Sequence, residues 1–158
     1  MPTQQVSLIK VVINKQDEVI KGVLESGLYE GVEDAVWQRR GGLPDVLTLR
    51  RPESHETFEA SLSGAKAVFF VHEFEGKKQR RDLHFHNNAP VHDGVWVRVE
   101  FHDGEELEGL IYNSILPLIE PGFFLLPTDP GSNNRLIYVL KDALTNFCVL
   151  GVRQLSPL

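Results

Sequence analysis

The stretch Leu62-Ser-Gly-Ala-Lys-Ala-Val-Phe-Phe-Val71 returns further along the chain as Leu140-Lys-Asp-Ala-Leu-Thr-Asn-Phe-Cys-Val149. Leu62 falls on Leu140, Ala65 on Ala143, Phe69 on Phe147 and Val71 on Val149, all at one offset of 78. Upstream, Val46–Pro52 falls on Phe124–Pro130 and Phe58 on Leu136 at the same offset. Nearer the N-terminus the offset becomes 87, where Ile20-Lys-Gly-Val-Leu24 meets Leu107-Glu-Gly-Leu-Ile111. The change of 9 marks a longer insertion between the second and third strands of the first copy. A fixed-offset match over several elements reads as an internal duplication. It divides the chain into a first repeat over 1–75, a connector over 76–94 and a second repeat over 95–158.

Each copy has the pattern of strands. Val95-Trp-Val-Arg-Val-Glu-Phe101 alternates apolar and polar residues, the period of a half-buried strand. Asp103-Gly104 then offers a tight turn, and Glu105–Tyr112 returns as the partner strand. Phe123–Leu126, Leu136–Val139 and Asn146–Val152 supply three more strands, with a short turn at Lys141-Asp-Ala before the last. In the first copy Ser7–Asn14 and Glu18–Glu25 form the matching hairpin. Gly22 stands where the second copy has Gly109, each marking a bend. The insertion Gly31–Gly42 reads as one short helix, with Glu33 and Asp34 at its start, Arg39 and Arg40 at its end, and Gly41-Gly42 as a stop. It is expected to plug one open end of a barrel.

The bulk composition is that of a globular chain: 158 residues, 42% hydrophobic and 24% charged. One cysteine, Cys148, excludes a disulfide within the chain and fits a reducing, cytoplasmic setting. Within the apolar run Phe147-Cys-Val-Leu150 its thiol is expected to be buried and inert. No signal peptide and no apolar stretch of membrane-spanning length is evident. The net charge is −6, and the only basic cluster is Lys77–Arg81 between two acidic halves. Nucleic-acid binding requires a broad cationic surface, so it is not expected.

Five short strands with a turn before the fifth resemble SH3-like and Sm-like small barrels. Ala67-Val-Phe-Phe-Val-His-Glu-Phe-Glu-Gly76 and Pro121-Gly-Phe-Phe-Leu-Leu-Pro-Thr-Asp-Pro-Gly-Ser-Asn-Asn134 more closely resemble a conserved bacterial family of unknown function with a two-copy arrangement. The resemblance implies a mostly-β fold of two tandem five-stranded barrels and a bacterial cytoplasmic origin, and it implies no mechanism. The basic-Gly pair of Sm-type RNA binders is missing from the late loop. Arg80 and Arg81 are adjacent rather than spaced as in the barrel receptors for cyclic dinucleotides.

Two readings of function follow. The first is a non-enzymatic binding or adaptor module acting through protein contacts, without a cofactor. Its partner-binding candidates are Trp37, Lys77, Lys78, Arg80 and Arg81. The alternative is a metal-binding protein or metal-dependent enzyme centred on His84, His86, His92 and His102, with Asp82 or Asp93 as an oxygen ligand. Imidazole and carboxylate together suit a divalent metal such as zinc, nickel, manganese or iron. No nucleophile elbow or glycine-rich phosphate loop is present. Glu105, Glu106 and Glu108 read as a charged strand edge. One member of each adjacent pair, Phe69-Phe70 and Phe123-Phe124, is expected to leave its own barrel and meet the other in an interface between the copies.

Overall fold

The computed structural model describes residues 8–25, 42–75, 94–112, 116–129 and 131–153. Ten strands follow in chain order: β1 Leu8–Lys15, β2 Val19–Glu25, β3 Val46–Arg50, β4 Thr57–Ser61, β5 Ala65–Val71, β6 Gly94–Phe101, β7 Glu106–Tyr112, β8 Gly122–Pro127, β9 Asn134–Leu140 and β10 Leu144–Arg153. A single helical turn, α1 Leu116–Ile119, precedes β8, and a 3-10 turn at Lys141–Ala143 precedes β10. The expected helix over Gly31–Gly42 lies outside the described residues except for Gly42. The expected connector lies outside them except for Gly94, which opens β6.

All ten strands form one sheet in the order β10-β6-β7-β8-β9-β5-β1-β2-β3-β4, and every neighbouring pair is antiparallel. This corrects the expectation of two closed, tandem SH3-like or Sm-like barrels. Closure would bring β4 back to β5 and β9 back to β10. Instead β5 gives that edge to β9, with Phe69 opposite Ile137 and Phe70 opposite Leu136. The sheet stays open and ends on β4 and β10.

The reason lies in the side chains. β5, β8 and β9 carry unbroken apolar runs, and both faces of each are buried. Such strands require cover on two sides, as central strands do. β4 alternates, with Thr57, Glu59 and Ser61 exposed, and suits an edge. The central strands therefore form a wall with a hydrophobic core on each face. Leu136 and Tyr138 of β9, Phe124 of β8 and Val68 and Phe70 of β5 join Val11, Ile13, Leu47 and Leu49 in the first core. Ala67, Phe69, Phe123, Leu125, Ile137 and Val139 point the other way and meet Val97, Val99 and Phe101 in the second. Both cores thus take side chains from both halves of the chain. The adjacent phenylalanines divide between the two cores rather than meeting in an interface between copies.

Local features hold this arrangement. β7 passes to β8 through only two paired positions, Gly109 with Pro127 and Leu110 with Leu126. A Cβ on Gly109 would run into the Leu125 side chain and the Leu126 carbonyl, so close strand crossing requires glycine there. The β6–β7 turn uses Gly104 at φ 89°, as its Asp-Gly pair predicts. At one end of the wall Asn133 ties the halves together. Its carbonyl accepts the His72 N–H at 2.9 Å, its Oδ1 accepts the Glu73 N–H at 3.1 Å, and its Nδ2 donates to the Glu73 carbonyl at 2.7 Å.

Candidate functional site

Two features of this fold offer a surface for function: a cleft where the halves meet, and the open edge at β10. The cleft, of about 970 Å³, is lined by residues including Lys15, Asp45, Lys66, His102, Tyr138 and Asp142. Lys66 stands just before the apolar run Ala67–Val71 of β5, and its side chain is only 12% exposed. Its Nζ lies 2.7 Å from Asp103 Oδ2 and 3.2 Å from Glu105 Oε2, and 4.6 Å from the centre of the Phe101 ring. A lysine from the first half thus fixes the β6–β7 turn of the second. The hydrogen bond from Lys66 and then the Glu105 backbone N–H hold the Asp103 carboxyl below its ordinary value, and the Lys66 charge adds to this.

Tyr138 is 1% exposed. Burial raises its phenol above the ordinary value, against the Leu43 backbone hydrogen bond that lowers it, while Asp45 and Glu120 raise it further. Its hydroxyl fits against Gly42, a residue at φ 74° whose added Cβ would strike it. His102 Nε2 lies 3.1 Å from the Asp142 carbonyl, which can only accept, so that nitrogen carries the proton. Lys66, Tyr138 and His102 are each engaged in a contact that holds the halves or a turn in place.

The metal alternative places four histidines together, and of these His102 alone is described. Its Nε2 proton faces a carbonyl, which leaves the ring's lone pair on Nδ1. His84, His86, His92, Asp82 and Asp93 lie outside the described residues, as do Trp37, Lys77, Lys78, Arg80 and Arg81. Among the described residues no three His, Cys, Asp or Glu side chains gather as a metal site would require.

The open edge is the second feature. β10 pairs with β6 through Phe147 opposite Val99, Val149 opposite Val97 and Val152 opposite Val95. Opposed residues share a face, so Phe147, Val149 and Val152 lie on the face of the second core. They nevertheless remain 41%, 55% and 57% exposed. Phe147 makes an edge-on contact with Phe123 at 5.7 Å between ring centres, which continues the core to the margin of the sheet. On the opposite face Cys148, beside Arg98, is exposed rather than buried. The expectation of an inert interior thiol fails because the apolar run 147–150 belongs to an edge strand. Residues 143–152 contain no charged residue and no proline, the devices that usually blunt an edge.

Among the described residues these features define an open antiparallel sheet with two cores and one unprotected margin. The chain belongs to the family of unknown function DUF6982, whose model matches residues 7–151. This membership replaces the resemblance to a two-barrel family: the family has no assigned function, and the open sheet removes the barrels. No curated protein matches the chain, and no solved structure matches it. No helix among the described residues is long and apolar enough to cross a membrane.

Proposed function

We propose that this protein is a non-enzymatic binding module that works through protein contacts, and that β10 is its contact edge. The observation that carries this reading is the ten-residue strand at the margin of the sheet, uncharged from Leu144 to Val152, with Phe147, Val149 and Val152 exposed on its core face. A strand of this kind offers a row of backbone donors and acceptors to an incoming strand, with apolar side chains to fix its register. The exposed Cys148 suits a reducing cytoplasm, where the reading places the protein.

A photo-crosslinking residue at position 149, and another at position 59 on β4, test the reading in the host cell. Protein adducts at 149 and none at 59 are expected. Absence of adducts at 149 overturns the reading.

A further inference from the structure

The two margins of the sheet differ. β4 has five residues, with Glu59 outward between Thr57 and Ser61, and a charge there disfavours apolar strand addition. β10 has ten residues and no charge before Arg153. β5, which lies beside β1 as β10 lies beside β6, has its outer edge covered by β9, whereas among the described residues β10 ends the sheet. We infer that the occupant of the β10 edge is β10 of a second copy of this chain, added antiparallel across a two-fold axis. This inference rests on the reading of β10 as the contact edge.

Three considerations select a second copy. The uncharged stretch Leu144–Val152 meets itself without electrostatic conflict, which a charged edge would not. An isologous contact closes at two chains, whereas pairing β10 with β4 of a neighbour would leave free margins and propagate. Such a contact would also extend an arrangement the chain already uses, since β5 and β9 join its two halves strand to strand.

The side-chain pattern also selects a register. To keep Phe147 and Val149 on a common apolar face, opposed residue numbers must sum to an even value, because side chains alternate. With Cys148 opposite Cys148 of the other copy, each Phe147 faces the other copy's Val149, and two apolar pairs form around the axis. A shift by one position in either chain sends these side chains to opposite faces. A shift by two leaves only one self-pair, Phe147 with Phe147 or Val149 with Val149. The second core then continues across the axis.

The test uses the full chain in sedimentation equilibrium over a range of concentrations. A species of twice the 17.8 kDa chain mass is expected to grow with concentration. Val149→Lys on the core face and Cys148→Arg on the outer face are each expected to weaken it at least tenfold, and Glu59→Lys to leave it unchanged. Cys148→Arg changes an exposed side chain, so the result stands even where Val149→Lys disturbs folding. Copper–phenanthroline, which takes two electrons from two thiols, should link Cys148 to Cys148. Cys148→Ser combined with Val152→Cys should not link. A monomer at all concentrations, or a dimer indifferent to both β10 variants, overturns the inference. A monomer that still gives adducts of another mass at position 149 overturns the second copy and leaves the contact edge standing.

Discussion

Phe70, Phe69 and Phe147 place the same ring in three settings, at 0%, 9% and 41% exposure. Phe70 fills the first core and Phe69 the second, while Phe147 lies on the second core's face at the uncovered margin. Truncating a fully buried phenylalanine costs about 3–5 kcal/mol, so Phe70→Ala should fall in that range and Phe69→Ala close to it. The exposure difference between Phe69 and Phe147, 41% against 9%, is about 65 Å² of a ring that buries roughly 200 Å², or about 1.6 kcal/mol at ~25 cal/mol per Å². Phe147→Ala should therefore cost about 1.5–3 kcal/mol, the remainder reflecting its edge-on contact with Phe123. Urea unfolding at low protein concentration, with the slope checked for constancy, measures all three. At high concentration the gap should narrow, because the second copy covers Phe147. Equal costs for Phe69→Ala and Phe147→Ala in dilute solution would refute the uncovered margin. A cost below about 1 kcal/mol for Phe70→Ala would refute the first core.

Other consequences follow from the cleft and from the close strand crossing at Gly109. Lys66→Met should return the Asp103 carboxyl toward its ordinary value, read by NMR titration. Because that carboxyl is held low in the folded chain, its contribution to stability is present above the ordinary carboxylate value. The contribution is lost as pH falls through the lowered value, and Lys66→Met should weaken that acid-side dependence, leaving the part due to the Glu105 backbone N–H. Tyr138, raised from 10.0, should ionise above the ordinary tyrosine value in an absorbance titration. Its neutral-form contribution is intact below pH 10.0 and is lost as pH rises through its raised value, and Tyr138→Phe should abolish that step. Gly109→Ala should destabilise by about 1–3 kcal/mol through overpacking against Leu125, measured by thermal unfolding.

The strands are largely legible in the sequence. Val95–Phe101 alternates and becomes β6, and Lys141-Asp-Ala becomes the turn before β10. The open sheet is legible only through a finer sign. Ala67–Val71, Phe123–Leu126 and Leu136–Val139 are unbroken apolar runs, which small barrels with one solvated face do not require, and they become the wall between the cores. Whether β5 turns to β4 or to β9 is decided by long-range pairing, on which strand periodicity is silent. The same limit hides the edge. Phe147-Cys-Val-Leu150 has the composition of a buried run, and only its place beside β6 alone exposes it. Lys66 is the missed member of the cleft, and its signal is a lone lysine between two alanines in an apolar strand, where a charge requires partners. Of the proposed contact residues, the basic cluster at Lys77–Arg81 is conspicuous by charge, whereas β10 is conspicuous by its lack of charge.

The most direct test of the central claim is amide hydrogen exchange along β10 at two protein concentrations. In dilute solution the outward-facing amides of β10 should exchange quickly while those of β9 stay protected. Raising the concentration should slow β10 and leave β4 unchanged. Protection of β10 equal to that of β9 at every concentration would mean that its edge is already covered within the chain, and would contradict the account.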